Sequence, residues 1–375
     1  MLHEHFDNSV ACPLTRLAES NPGTFSIAQD GLVHARLICM NPKVFASIVA
    51  LVGVGLIGGY FAHDLVDDRR EGRHSRDWSE MNNTSKQVRQ MGNYSYINPL
   101  LECEVAEGTL DARKENFRDV LEIRVNQLKK EKNLSEVAVY YRDLNNGPTF
   151  GVDEQGEFFP ASLLKVPVMM AYYRWAETES GLLGREIFFE APRDFGVSIT
   201  IMPREELDPG KSYTVEELIN RMIKFSDNQA TYLLVQNLPQ EKVIRLFRTI
   251  GVESDVIMDG NAKITVKEYA SFFRILFNSS YLSRESSEKA LALLSSTDYN
   301  DALPAGIPKG VVVSHKFGEA GTANVERQLH DCGIVYFPNH PYLACIMTRG
   351  QDVDELKDAI VDVSQFIYEK IDEQY

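Results

Sequence analysis

Hydrophobic and polar positions divide the chain into an uncharged run, a polar stretch and a long region with regular periods. Val44 to Ala62 reads VFASIVALVGVGLIGGYFA, nineteen residues without a charge. As a helix this spans about 28 Å, enough to cross a bilayer core. Its glycines, Gly53, Gly55, Gly58 and Gly59, suit a membrane helix better than a soluble one. No small-residue cleavage site follows, so the pattern predicts an uncleaved transmembrane anchor at 44–62. Residues 1–43 form an N-terminal extension in which no motif stands out. Residues 63–108 are polar and irregular and read as a tether.

From 109 to 375 the periods become regular. Asp111 to Lys132 has a helical stripe of Phe117, Val120, Leu121, Ile123, Val125 and Leu128. Glu136–Asp143 reads as a strand, Asn145-Asn146-Gly147 as a turn, and Thr149–Val152 as the return strand. Helical patterns follow at 162–178, 214–225, 229–237, 265–278 and 284–295. Three late strands, 311–317, 332–337 and 342–348, precede a final amphipathic helix at 353–371. Early strands, a helical block, late strands and a last helix predict an α+β domain. Its antiparallel sheet is built from both ends of the domain, with flanking helices and a helical middle subdomain.

Composition is that of a globular chain, with 44% hydrophobic and 25% charged residues among 375. The net charge of −15 argues against nucleic acid as a partner, which needs a basic face. The five cysteines, Cys12, Cys39, Cys103, Cys332 and Cys345, have no zinc spacing. Cys332 and Cys345 fall on neighbouring predicted strands, but buried free thiols are the expectation. Without GxGxxG, a Walker loop or HExxH, neither a metal nor an organic cofactor is expected.

The candidate chemistry starts at FFPASLLKVPVMM, where Ser162 and Lys165 interrupt an apolar run. Residues three apart share a helix face, and Pro160 fits a helix start. A lysine kept from water has a lowered pKa and can take a serine proton. Ser-x-x-Lys also occurs at Ser286-Ser287-Glu288-Lys289, on a helix whose expected surface is solvated. The first copy differs in its company. Ser226-Asp227-Asn228 lies between two predicted helices, and Lys316-Phe317-Gly318 at a strand end. Ser-x-x-Lys with Ser-Asp-Asn and a Lys-Thr-Gly-like triplet, in that order, is the signature of class A β-lactamases and penicillin-binding proteins.

Residues 109–375 therefore resemble the serine β-lactamase and penicillin-binding protein superfamily, closest to class A. The resemblance implies Ser162 as nucleophile, Lys165 as its activating partner, and Ser226 as proton relay to the leaving nitrogen. It implies Lys316 as a source of positive potential for Ser226 and the substrate carboxylate, and Asn228 as a holder of the substrate side-chain amide. Gly318 and Glu319 would line the substrate, with the Ser162 and Glu319 N–H groups as the oxyanion hole. Asp227 reads as structural, holding its own turn, and His315 as a spectator.

Three departures accompany the likeness. Phe317 stands where the family has a hydroxyl that binds the substrate carboxylate. The family arginine on the strand Asp331-Cys332-Gly333 is absent, leaving Arg327 or Arg349 as candidates. The Glu-x-x-Leu-Asn of the Ω-loop, whose glutamate activates the deacylating water, is missing from GVESDVIMDGNAKITVKEYASFF. Glu253, Asp255 and Asp259 read there as turn and cap residues.

The expectation is a membrane-anchored serine acyl-hydrolase acting on β-lactams and slow to deacylate. Its partners would be a β-lactam or a peptidoglycan stem peptide, and the lipid bilayer through 44–62. Its catalytic domain would lie outside the cytoplasm, although Arg69, Arg70, Arg73 and Arg76 after the run do not themselves favour that orientation. The alternatives are a D,D-peptidase, a non-turnover covalent β-lactam sensor, and a non-catalytic cell-wall binding module.

Overall fold

The computed structural model describes residues 94–99, 112–145, 148–195, 200–202, 205–249, 263–321 and 326–375, with side chains at 112–116 left aside. The first helix, α1 (Ala112–Glu131), leads into strands β1 (Glu136–Asp143), β2 (Thr149–Val152) and β3 (Glu157–Phe158). A 3₁₀ turn (Ala161–Leu164) and α2 (Lys165–Ala176) follow, then a hairpin of β4 (Glu186–Phe189) and β5 (Lys211–Thr214). The middle continues with α3 (Val215–Lys224), α4 (Asn228–Asn237), α5 (Gln240–Thr249), β6 (Ile264–Thr265), α6 (Val266–Phe277) and α7 (Arg284–Leu294). The chain closes with β7 (Val313–Ala320), β8 (Arg327–Val335), β9 (Tyr342–Gly350) and α8 (Val353–Asp372).

The main sheet is antiparallel in the order β2-β1-β9-β8-β7, so both ends of the domain build it as expected and β7 is a free edge. Alternation along each strand divides its side chains between two cores. From β1, Ala138 and Tyr140 pack with the middle helices, while Val137, Val139 and Tyr141 join the core containing α1 and α8. From β9, Leu343, Cys345 and Met347 go to the first core and Ala344 and Ile346 to the second. A sheet buried on both faces explains why these strands read as nearly continuous apolar runs.

Several sequence expectations change. Ile123 is exposed, because the buried stripe of α1 runs Leu121, Val125, Leu128 and Ile123 lies off it. The helix expected from 162 begins as a 3₁₀ turn and becomes α-helical only at Lys165. The hairpin β4–β5 and helix α5 were not anticipated, although Val243, Leu246 and Phe247 carry a helical period. Cys332 and Cys345 face each other across β8 and β9 and are disulfide-bonded, not free. Within the predicted tether, Tyr94–Pro99 lies against the domain, with Ile97 in its core. The Glu288 carboxylate accepts N–H bonds from Ser95, Tyr96 and Ile97. Among the described residues no helix is long and apolar enough to cross a membrane; the anchor expected at 44–62 lies outside them.

Candidate active site

The site forms where the first turn before α2 meets the start of α4 and the free edge of β7. Gly318 permits the closest of these approaches. A Cβ added there would lie 3.0 Å from Leu163 Cγ and 3.0 Å from Pro160 O. The turn bearing Ser162 therefore rests directly on β7, and a side chain at 318 would press on it.

Three further residues, not anticipated from sequence, hold that turn. Buried Tyr269 on α6 donates its hydroxyl to Leu163 O at 3.0 Å. Gln328 Oε1 accepts from Phe159 N at 3.0 Å, and His330 Nε2 lies 3.0 Å from Phe159 O. The Thr348 N–H points at His330 Nδ1, so a neutral ring donating from Nε2 satisfies both contacts. Burial lowers the His330 pKa to about 4, which keeps the ring neutral. Tyrosine, glutamine and histidine scattered over α6 and β8 give no local sequence signal for this task.

Two residues here hold left-handed backbone without being glycine: Ala161 (φ 46°), just before Ser162, and Ser226 (φ 55°). Such positions cost of order 1–2 kcal/mol each. Asp227 offsets part of this, because its Oδ1 caps α4 by accepting from Gln229 N at 2.8 Å and Ala230 N at 3.1 Å. That is the structural role expected for it.

Two buried lysines converge on one hydroxyl. Lys165 is 3% exposed and Lys316 fully buried. Lys165 Nζ lies 2.9 Å from Ser226 Oγ and Lys316 Nζ 3.1 Å from the same atom. Lys165 also donates to Ser226 O at 2.6 Å and Asn228 Oδ1 at 2.8 Å. Among the described residues none of its partners is Ser162 Oγ, so the expected serine–lysine bond is replaced by bonds to the second motif. The half-buried Ser162 sits one 3₁₀ turn before Lys165, where residues three apart eclipse each other.

Burial pulls the Lys165 pKa down to about 7, against a smaller opposing pull from Asp227. Burial, and then the Lys165 charge, hold Lys316 well below the ordinary lysine range. Two ammonium groups on one oxygen repel each other, so the pair favours losing a proton. Ser226 has one proton to give. It can donate it to the neutral amine while accepting from the charged one, which makes the hydroxyl a proton bridge between the lysines.

The other expected site residues are placed as follows. Glu319 on β7 turns its carboxylate to Thr200 N, Thr200 Oγ1, Ile201 N and Arg327, clamping the 200–201 segment to the edge strand. Arg349 pairs with Glu136 and donates to Glu157 O. Both candidate arginines are thus engaged. His315 is buried and hydrogen-bonded to Asp331 at 2.8 Å. Glu253, Asp255 and Asp259 lie outside the described residues.

A model described as the beta-lactamase enzyme family matches residues 120–371. The chain belongs to that family. Its place in the serine β-lactamase and penicillin-binding protein superfamily, and its standing as a serine β-lactamase-like hydrolase, follow from the same match. Beta-lactamase VEB-1 of Pseudomonas aeruginosa is 20% identical over 263 residues, covering 65% of this chain and 87% of that protein. The solved structure of PBP-A is 24% identical, covering 68% of this chain and 96% of its own, with a TM-score of 0.58. A class A beta-lactamase from Mycobacterium abscessus is 21% identical, covering 67% and 99%, with a TM-score of 0.57. The two solved structures show the β-lactamase-like α+β fold.

Proposed function

We propose that this family member works through an acyl-enzyme on Ser162, with β-lactams as the substrate class. The observation that carries the reading is the convergence of Lys165 and Lys316 on Ser226 Oγ beside the Ser162 turn. Ser162 Oγ bonds to the lactam carbonyl carbon and its proton passes to the neutral Lys165 amine. The ring C–N bond breaks, and the nitrogen takes a proton from Ser226, which is resupplied from the lysines. The N–H groups of Ser162, in a first turn without intrahelical partners, and of Glu319 on the edge strand stabilise the oxyanion. Asn228 and Gly318 flank the bound acyl group. A mutant of PBP-A is described as an acyl-enzyme complex with penicillin G, which is support by analogy of fold.

Deacylation is the slow step in this reading, because no Glu-x-x-Leu-Asn is present to activate water. General-base help of that kind is worth about 10²–10⁴-fold. A D,D-peptidase acting on stem peptides uses the same groups and is the second reading. The run at 44–62 would anchor the chain with this domain outside the cytoplasm; protease access to the domain in spheroplasts tests that. The intact mass of the full-length chain, followed after mixing with a penicillin, tests the mechanism. An adduct that persists once formed is expected in the wild type, and none in Ser162→Ala. An adduct that survives in the variant would sink the assignment.

A further inference from the structure

The charges around Ser226 raise a question about what the site can hold. A ligand carboxylate needs a cation or several free donors in reach. Lys316 is the nearest cation on β7, and its donors are committed. It bonds to Ser226 Oγ and to Phe317 O at 2.9 Å, and its Nζ lies 3.9 Å from the centre of the Phe317 ring. Neighbouring side chains on a strand point to opposite faces. The Lys316 Nζ nonetheless lies against the Phe317 ring, which covers one side of the ammonium. Phe317 is itself buried, with its ring 4.3 Å from that of Tyr299.

Acidic groups complete the picture. Asp331 stands directly opposite Phe317 in the register. It is fully buried and is spent on His315 and Leu303 N. Glu319, two residues along β7, takes the Arg327 charge, and the Arg327 Nε is enclosed. Among the described residues, then, Lys316 is held by two oxygens and a ring, Arg327 is paired with Glu319, and two carboxylates flank the aromatic pair. We propose that the site selects acyl donors with no carboxylate beside the scissile bond: neutral lactams, esters or amides. The proposal rests on the acyl-enzyme reading for the chemistry but not for the preference.

Titrating the full-length Ser162→Ala chain with benzylpenicillin and with its methyl ester reads that preference without acylation. The ester should bind roughly tenfold tighter or better, the usual scale for an unmatched charged partner. Equal binding, tighter binding of the acid, or no binding of the ester would each overturn the proposal. Adding Phe317→Thr to that chain should move the preference toward the acid, while Phe317→Leu, which keeps the site apolar, should not. An unmoved preference in the threonine variant counts against the role of the ring. Intact mass of the wild type with the same two compounds is a separate reading: no adduct with either would defeat the acyl-enzyme alone.

Discussion

The same four-residue pattern, Ser-x-x-Lys, occurs twice in this chain and meets two different fates. At Ser162/Lys165 the amine is buried, and all three of its partners are uncharged oxygens. At Ser286/Lys289, on α7, the lysine side chain is 41% exposed and pairs with Glu216, while the N-cap Ser283 accepts from Ser286 N and donates to Ser286 Oγ. The first lysine is held by groups that tolerate its neutral form. The second is held by a carboxylate that rewards its charge. Spacing alone therefore carries no chemistry; the residues brought to it from elsewhere do. The second copy has other work, since its neighbour Glu288 fastens the 95–97 segment to the domain.

The sharpest way to break this comparison is to remove each serine in turn. Ser162→Ala should lose all covalent labelling by a fluorescent penicillin, and Ser286→Ala should label like the wild type. Reversal of either result on a gel would end the distinction. Removing the amines comes next. Lys165→Ala should slow acylation about 10²–10⁴-fold, the range for a lost general base, and Lys289→Ala should leave stopped-flow acylation unchanged.

A smaller effect lies in pH. In the proposed mechanism Lys165 acts as a base when neutral, so acylation should rise as pH climbs through about 7 and level off above it. Asn228→Asp would set a carboxylate on Nζ, favour the ammonium, and move that rising limb upward by about one unit or more. A limb that stays put would show that another group controls the rate. The same shift bears on stability. The unfolded lysine, with its ordinary value of 10.5, binds a proton that the folded one gives up, so burying this amine costs stability in full below about 7, and the cost is relieved as pH rises from about 7 toward 10.5. The least effect belongs to the second copy: Lys289→Ala should cost only about 0.2–1 kcal/mol in denaturant unfolding, the usual worth of an exposed pair.

Much of this was legible in the chain. The three motifs and the strand alternation gave the sheet from both ends, and Lys165, Ser226, Asn228 and Lys316 do come together, with Ser162 in the turn just before Lys165. What could not be read was the wiring. Lys165 turns to Ser226 and Asn228 because the 3₁₀ turn and the left-handed Ser226 set the approach, and no spacing encodes that. Tyr269, Gln328 and His330 look like ordinary buried polar residues until the turn they hold is seen. The disulfide depended on register, which places Cys332 opposite Cys345 and which apolar runs buried on both faces specify poorly.

The strand order has a further consequence for how the enzyme comes to be. β1 pairs with β9, joining Glu136 to Arg349, and the Ser162 turn rests on β7, which is made much later than the turn itself. A chain growing from its N-terminus carries the reactive serine and lysine through most of synthesis without the strand that seats them. Contacts so distant in sequence form slowly, because a long loop must close first. Until they form, Lys165 stands in water as an ordinary ammonium, and Ser162 has no base. On the proposed reading, Ser162 becomes a nucleophile only when folding is complete, and a chain cut short before β7 is expected to take up no penicillin label.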